Sequence, residues 1–267
     1  MVLRLRGITK VFGSLVANND INLELKSGEV LALLGENGAG KTTLMNILFG
    51  HYIADSGSIE GFGRPIQQGS PHAAIELGIG MVHQHFTLAD NLSVLDNVML
   101  GTEPLWWFSS NRRAGRLKLE QLGERFGLRV KPNARVAELS IGERQRVEIL
   151  KALYRGADIL ILDEPTGVLT PQEADHLFRI LDELREQEKT VILITHKLRE
   201  IMAITDNVSV MRQGKIVAHR KTSETDREEL AELMVGRKVL MQVDKAPAKP
   251  GSPMLTVKHL DYTDDFG

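Results

Sequence analysis

Residues 30–42 read VLALLGENGAGKT, a continuous apolar run followed directly by a glycine-rich segment. A short run such as Val30–Leu34 is typical of a β-strand that is covered on both faces, as in a parallel sheet. The pattern behind the glycines favours a helix over Lys41–Phe49. Two further apolar runs, ILIL at 159–162 and VILI at 191–194, have the same character as the first. We therefore predict an α/β fold built around a parallel core sheet.

The segments around this core have other patterns. Residues 2–25 alternate between apolar and polar side chains, which predicts half-exposed antiparallel strands. A mostly helical insertion is predicted at 87–155, a hairpin at 208–217, and a helix at 225–235 that ends at Gly236. Helix starts are predicted at four capping patterns: Ser70 with Pro71, Ser93 with Asp96, Ser140 with Glu143, and Thr170 with Glu173.

Composition excludes several classes of protein. The 33 basic and 35 acidic residues nearly cancel, so nothing indicates strong nucleic-acid binding. There is no cysteine, which excludes disulfides and thiolate metal sites and fits a reducing compartment. The N-terminus lacks the apolar core of a signal peptide, and no apolar run reaches the roughly 18 residues that span a bilayer. We interpret the chain as cytoplasmic, with any membrane role acting through a partner.

The segment GENGAGKT matches the phosphate-binding pattern G-x-x-x-x-G-K-[ST]. Glycines allow the backbone to wrap a phosphate closely, with N–H groups and a helix N-terminus directed at the negative charge. Lys41 would then reach the β- and γ-phosphates of ATP, and the Thr42 hydroxyl would bind Mg²⁺. The predicted nucleotide contacts here are Gly35, Glu36, Asn37, Gly38, Ala39, Gly40, Lys41, Thr42 and Thr43.

Two acidic residues follow the apolar run at 159–162. The C-terminal ends of strands surround the ligand in an open α/β sheet, so both carboxylates would face the phosphates. Asp163 suits the Mg²⁺ shell, and Glu164 would orient or deprotonate the attacking water. The alternative is that these acids simply cap the next helix.

The segment LSIGERQR at 139–146 resembles the signature motif of the ABC ATPases, usually LSGGQ. The resemblance implies a P-loop NTPase core sheet with an antiparallel β subdomain and an inserted helical subdomain. It also implies that Ser140, Gly142 and Glu143 complete the ATP site of the opposite cassette in a head-to-tail dimer. The alternative is an ordinary capping box between Ser140 and Glu143, and both interpretations hold together.

Other family positions match one at a time. Phe12 resembles the aromatic residue that stacks on adenine. Gln84 resembles the glutamine that links the Mg²⁺ site to the helical insertion, and His196 resembles the switch histidine at the γ-phosphate. Gln84 and His196 could instead be ordinary polar residues at strand ends, and a metal pair of His83 with His85 lacks a third ligand.

The sequence also departs from the family pattern. Ile141 and Glu143 stand where Gly and Gln are commonest, and Thr170 stands where many members have aspartate. We therefore expect asymmetric communication between paired sites. Such variants occur in the ATPases of bacterial nucleoside and simple-sugar importers, which the stretch 138–173 resembles. That resemblance implies an ATP-hydrolysing subunit on the cytoplasmic face of the membrane, with permease subunits and, indirectly, a substrate-binding protein as partners.

Two rival functions would leave different marks in the sequence from those of an importer. A soluble ABC protein of the translation-factor or DNA-repair type would have a long charged helical linker or a long inserted coiled coil, and the sequence has neither. A regulatory module without turnover would lack Lys41 or Glu164, and both are present.

The domain organisation follows from composition and from a short repeat. We expect a cassette at 1–237, a Pro- and Lys-containing linker at 238–253, and the start of a second cassette at 254–267, which resembles 2–13. We expect 254–267 to be poorly anchored or paired opportunistically with a neighbour. The aromatic run at 106–108 either packs into the helical insertion or contacts a partner.

Overall fold

The computed structural model describes residues 1–102, 111–238, 251–252 and 254–261. The strands are β1 (Leu3–Phe12), β2 (Leu15–Leu25), β3 (Val30–Leu34), β4 (Ser56–Gly61), β5 (Arg64–Pro65), β6 (Ile79–Val82), β7 (Ile159–Asp163), β8 (Thr190–Thr195), β9 (Asn207–Arg212) and β10 (Lys215–Lys221). The α-helices are α1 (Lys41–Phe49), α2 (Pro71–Glu76), α3 (Val94–Met99), α4 (Arg112–Arg125), α5 (Ile141–Tyr154), α6 (Pro171–Glu186), α7 (Leu198–Ile204) and α8 (Arg227–Val235).

The core sheet has the strand order β10-β9-β3-β8-β7-β6. All its pairings are parallel except that of β9 with β10, which form the predicted hairpin. Every residue of β3, β7 and β8 is buried, as their continuous apolar runs predicted. The register pairs Leu34 with Thr195, and Asp163 with Ile194. The C-terminal ends of these three strands therefore lie side by side, and the residues that follow them meet at one edge.

A second, antiparallel sheet has the order β2-β1-β4-β5. Pairing of β1 with β2 confirms the strands predicted at 2–25. Its apolar side chains, including Leu5, Ile8 and Ile21, join one buried cluster with residues of the core sheet such as Leu33. This shared cluster holds the antiparallel sheet against the core sheet.

The helix starts follow the predicted capping residues. The hydroxyls of Ser140 and Thr170 each accept a hydrogen bond from the backbone N–H three residues later, at 3.3 Å. In return, the carboxylates of Glu143 and Glu173 accept the N–H groups of Ser140 and Thr170 at 2.9 Å. The prediction that the last helix starts at 225 was wrong by two residues. Asp226 accepts the N–H of Glu229 at 2.8 Å and is therefore the N-cap.

The described part of the insertion between β6 and β7 contains the helices α3, α4 and α5 and also non-helical segments. Side chains such as Val98, Leu119 and Val147 bury together within it. The aromatic run at 106–108 and most of the linker at 238–253 lie outside the described residues. Residues 254–261 are exposed and form no strand. No helix in the described ranges is long and apolar enough to cross a membrane.

Candidate functional site

The glycine-rich loop between β3 and α1 packs closely against two other strands. A Cβ at Gly35 would lie 2.4 Å from the carbonyl oxygen of Met211, on β9. A Cβ at Gly40 would lie 2.2 Å from the carbonyl oxygen of Ala17, on β2, and Gly40 has a φ of 100°. Only glycine fits these two positions, so the loop geometry depends on packing against both sheets.

Lys41 begins α1 and turns its side chain back into this loop. Its Nζ donates to the carbonyl oxygens of Gly35 at 2.7 Å and Glu36 at 3.0 Å. Burial lowers the pKa of Lys41, while the carboxylates of Glu164 and Asp163 act in the opposite direction. The ammonium group therefore lies inside the loop and within electrostatic reach of both acids.

Asp163 ends β7 opposite the first turn of α1. The Thr42 hydroxyl donates to its Oδ2 at 3.5 Å. Burial raises the pKa of Asp163, the charge of Glu164 adds to this, and Lys41 and Thr42 oppose it. Two oxygen donors thus face each other in a partly desolvated position that favours a cation.

Glu164 has a left-handed backbone, with a φ of 46°. Such a conformation costs a non-glycine residue about 1 to 3 kcal/mol and persists only where neighbouring contacts hold it. Its N–H donates to the carbonyl of Ile194 at 3.0 Å, and its own carbonyl accepts from Gly167 at 3.0 Å. Its Oε1 lies 2.9 Å from Nδ1 of His196. The two side chains predicted to assist hydrolysis are therefore in direct contact.

A cavity of about 620 Å³ opens at this edge of the core sheet. The sequence-predicted residues that line it are Asn37, Gly38, Gly40, Lys41, Thr42, Thr43, Gln84, Asp163 and Glu164. Gly35, Glu36 and Ala39 belong to the same loop but are not part of the lining. Gln84 comes from the segment after β6, so the cavity also touches the start of the helical insertion.

Sequence reasoning missed part of this cavity. Leu15, Val16 and Ala17 from β2, and Gln213 and Gly214 from the turn between β9 and β10, also line it. The signal available in the sequence was the apolar pair at 15–16, three residues after the Phe12 that was singled out instead. Phe12 itself packs edge-on against Tyr52, with ring centroids 5.5 Å apart, and it is not among the lining residues. Its stacking on adenine stays a prediction.

The signature residues lie outside the cavity that contains Lys41. Ser140, Gly142 and Glu143 form the N-terminus of α5, and none of them lines the cavity that contains Lys41. A Cβ at Gly142 would lie 2.8 Å from Oε1 of Glu173, which shows how closely α6 approaches this helix start. Glu143 is engaged in the capping box, and the N–H of Ser140 lowers its pKa. Within one chain, the signature and the glycine-rich loop belong to separate surfaces.

The donor set fits magnesium. Mg²⁺ is usually bound by one or two carboxylates together with phosphates and waters, and Thr42 and Asp163 supply hard oxygen donors of that kind. Among the described residues there is no group of three or more His, Cys, Asp or Glu side chains that could hold a metal without such a ligand. His83 stacks on His51 instead, with ring centroids 5.9 Å apart.

The chain was compared with known families and proteins. The family model described as "ABC transporter" matches residues 18–167. The nucleoside import ATP-binding protein NupA of Lactococcus lactis is 48% identical over 266 residues, which cover 100% of this chain and 53% of NupA. The glucose import ATP-binding protein TsgD13 of Haloferax volcanii is 45% identical, with coverage of 99% and 53%.

A solved structure, described as the dimeric structure of a bacterial ABC transporter cassette, aligns with a TM-score of 0.71 and 25% identity. The alignment covers 82% of this chain and 98% of that one. The chain therefore matches a whole cassette of known structure, but it spans about half the length of the curated relatives.

Proposed function

Because the chain belongs to the ABC transporter family, we propose that it is an ATP-binding and ATP-hydrolysing cassette that powers a membrane importer. One observation carries the proposal. Lys41, Thr42, Asp163 and Glu164 line a single cavity, and Glu164 is paired with His196. A phosphate-binding loop, a cation site and a candidate base thus lie within reach of one ligand.

Binding begins with the loop and α1. The backbone N–H groups of the loop and the helix N-terminus attract the phosphates, and the Lys41 ammonium moves from its carbonyl partners to the β- and γ-phosphates. Thr42 and Asp163 would hold Mg²⁺, with Gln84 beside them. When bound, the ion neutralises charge that develops on the phosphates.

Glu164 carries the hydrolysis step. Its carboxylate lines the cavity just after the C-terminal end of β7, where it orients the attacking water and accepts its proton. Contact with His196 fixes the direction of that carboxylate, which matters because the water must attack in line with the leaving oxygen.

A second cassette completes the site in this proposal. Ser140 and Gly142 lie outside the cavity of their own chain, so they contact a γ-phosphate only across an interface. The existence of a dimeric ABC transporter cassette of the same fold supports that arrangement. The partner is a second copy or, as the repeat between 2–13 and 254–267 supports, a second cassette of a longer protein.

Closure of two cassettes on ATP and reopening after hydrolysis would drive the transport cycle. The relatives named for nucleoside import and glucose import support a cargo of nucleosides or simple sugars. We further propose that the cassette acts at the cytoplasmic face of the membrane, bound to permease subunits, with a substrate-binding protein acting indirectly.

The shared site can be tested by phosphate release from Mg-ATP across a protein dilution series. For this 267-residue chain, turnover per cassette should rise steeply with its concentration or with an added partner cassette, because each active site needs two cassettes. Flat specific activity, at dilutions where sizing detects only monomer, would rule out the shared site. Cargo can be tested by uptake of labelled guanosine, ribose and glucose in cells that carry either the wild-type gene or Glu164→Gln.

A further inference from the structure

Pro165 and Thr166, which follow Glu164, are hydrogen-bonded to buried side chains from two different helices. Gln145, on α5, donates from Nε2 to the carbonyl oxygen of Pro165 at 2.7 Å. Glu200, on α7, accepts the hydroxyl of Thr166 at Oε1. Gln145 and Glu200 are each only 4% exposed. Neither lines the cavity that contains Lys41.

Glu200 also reaches the segment that carries His196. Its Oε2 accepts the hydroxyl of Thr195 at 2.7 Å, and Thr195 directly precedes His196. One carboxylate therefore bridges the side-chain hydroxyls of Thr166, two residues after Glu164, and Thr195, one residue before His196.

The donors and acceptors around this bridge are satisfied. The Lys197 ammonium donates to both the carbonyl and the hydroxyl oxygen of Thr166 at 3.0 Å, and it lies 3.5 Å from Glu200. The Thr195 hydroxyl accepts the N–H of Lys197 at 3.0 Å. Each hydroxyl thus accepts from Lys197 and donates to Glu200, so removal of the carboxylate leaves two buried donors without their acceptor.

We propose that Glu200 is a positioning residue for ATP hydrolysis that holds Glu164 against His196 by bridging Thr166 and Thr195, with Gln145 anchoring Pro165 from the signature helix. The left-handed backbone of Glu164 supports this assignment, because such a conformation needs surrounding contacts to maintain it. The inference rests on the proposed ATPase function of the same site.

Gln145 connects the signature helix to the segment that follows Glu164. Its helix, α5, is capped by the signature residue Ser140, and the Gln145 side chain donates to the carbonyl of Pro165, the residue after Glu164. Movement of α5, when the signature meets a partner's nucleotide, is therefore transmitted to the catalytic carboxylate of the same chain.

The test compares Glu200→Gln and Gln145→Met with two matched controls on exposed helix surfaces, Glu186→Gln on α6 and Gln121→Met on α4. For each protein we would measure nucleotide affinity, steady-state phosphate release, thermal unfolding, and the nitrogen NMR signals of His196. In the two test variants, kcat should fall about 10- to 100-fold with unchanged ATP affinity, because misplacement of a catalytic group slows the chemical step. The His196 signals should shift, and the controls should match the wild type.

Normal kcat and unshifted His196 signals in a folded Glu200→Gln protein would overturn the proposal. A parallel loss of affinity, kcat and thermal stability would overturn it too, since that pattern indicates a packing role. If Glu200→Gln does not fold, Thr166→Val and Thr195→Val each break one arm of the bridge and must lower kcat selectively. Absence of wild-type turnover would refute the proposed function instead, while the His196 signals would still report on the positioning.

Discussion

Nδ1 of His196 lies 2.9 Å from Oε1 of Glu164, although the two residues are 32 positions apart in the sequence. The parallel pairing of β7 with β8 brings them together, since Asp163 lies opposite Ile194. Two side chains in such contact act as a unit, so their substitutions should not be additive. The two side chains proposed to assist hydrolysis are therefore in contact at this edge of the core sheet.

The glycine-rich loop offers a matched pair of substitutions. At Gly40, alanine combines a positive φ with a Cβ 2.2 Å from the Ala17 carbonyl, whereas Gly38 has a positive φ and open space around it. Gly38→Ala should destabilise the chain by about 1 to 2 kcal/mol, and Gly40→Ala by a further 1 to 3 kcal/mol or so. Chemical unfolding and ATP titration would measure both. Equal effects of the two variants would contradict the packing described for Gly40.

We propose two roles for the Ser140 hydroxyl, helix capping and contact with a nucleotide of the partner cassette, and only the capping role for Ser70. Both cap a helix through a 3.3 Å bond. Ser140→Ala and Ser70→Ala should each lower the free energy of unfolding by about 1 kcal/mol. Only Ser140→Ala should also reduce phosphate release in a dimer. If turnover is equal in the two variants, Ser140 is a helix cap and nothing more.

His219 should make stability depend on pH. It is partly buried, with Nδ1 2.9 Å from the Ser209 hydroxyl, and burial lowers its pKa. An unfolded histidine has a pKa of about 6.5. Below that pH the unfolded state binds more protons than the folded state, so the free energy of unfolding decreases as the pH is lowered. His219→Gln should flatten this dependence, by at most about 1.4 kcal/mol per pH unit. Urea unfolding from pH 7.5 to 5.5 is the measurement.

His72→Gln is the control, because the His72 side chain is 81% exposed. His83 and His176, whose pKa values burial also lowers, stay in both variants and so cancel in the comparison. Equal pH dependence in the wild type and His219→Gln would refute the assignment.

The sequence predicted those parts of the site that depend on local pattern. Val30–Leu34 and Lys41–Phe49 form the strand and helix expected, because apolar runs and a phosphate-binding loop act over a few residues. The cavity wall from Val16 and Gln213 was missed, because packing of the second sheet against the core brings it there. The buried bridge at Glu200 was also missed. An acidic residue in a helix ordinarily indicates a solvated face, and only tertiary packing buries this one.

We propose above that Glu164 accepts the proton of the attacking water during ATP hydrolysis at the cavity that contains Lys41. The most direct measurement is phosphate release by Glu164→Gln and wild type under conditions where titration finds equal nucleotide occupancy. The amide keeps the side-chain shape and removes the proton acceptor, so release should fall about 10²- to 10⁴-fold while ATP binding persists. Near-normal release by the Gln variant at equal occupancy would exclude Glu164 as the proton acceptor.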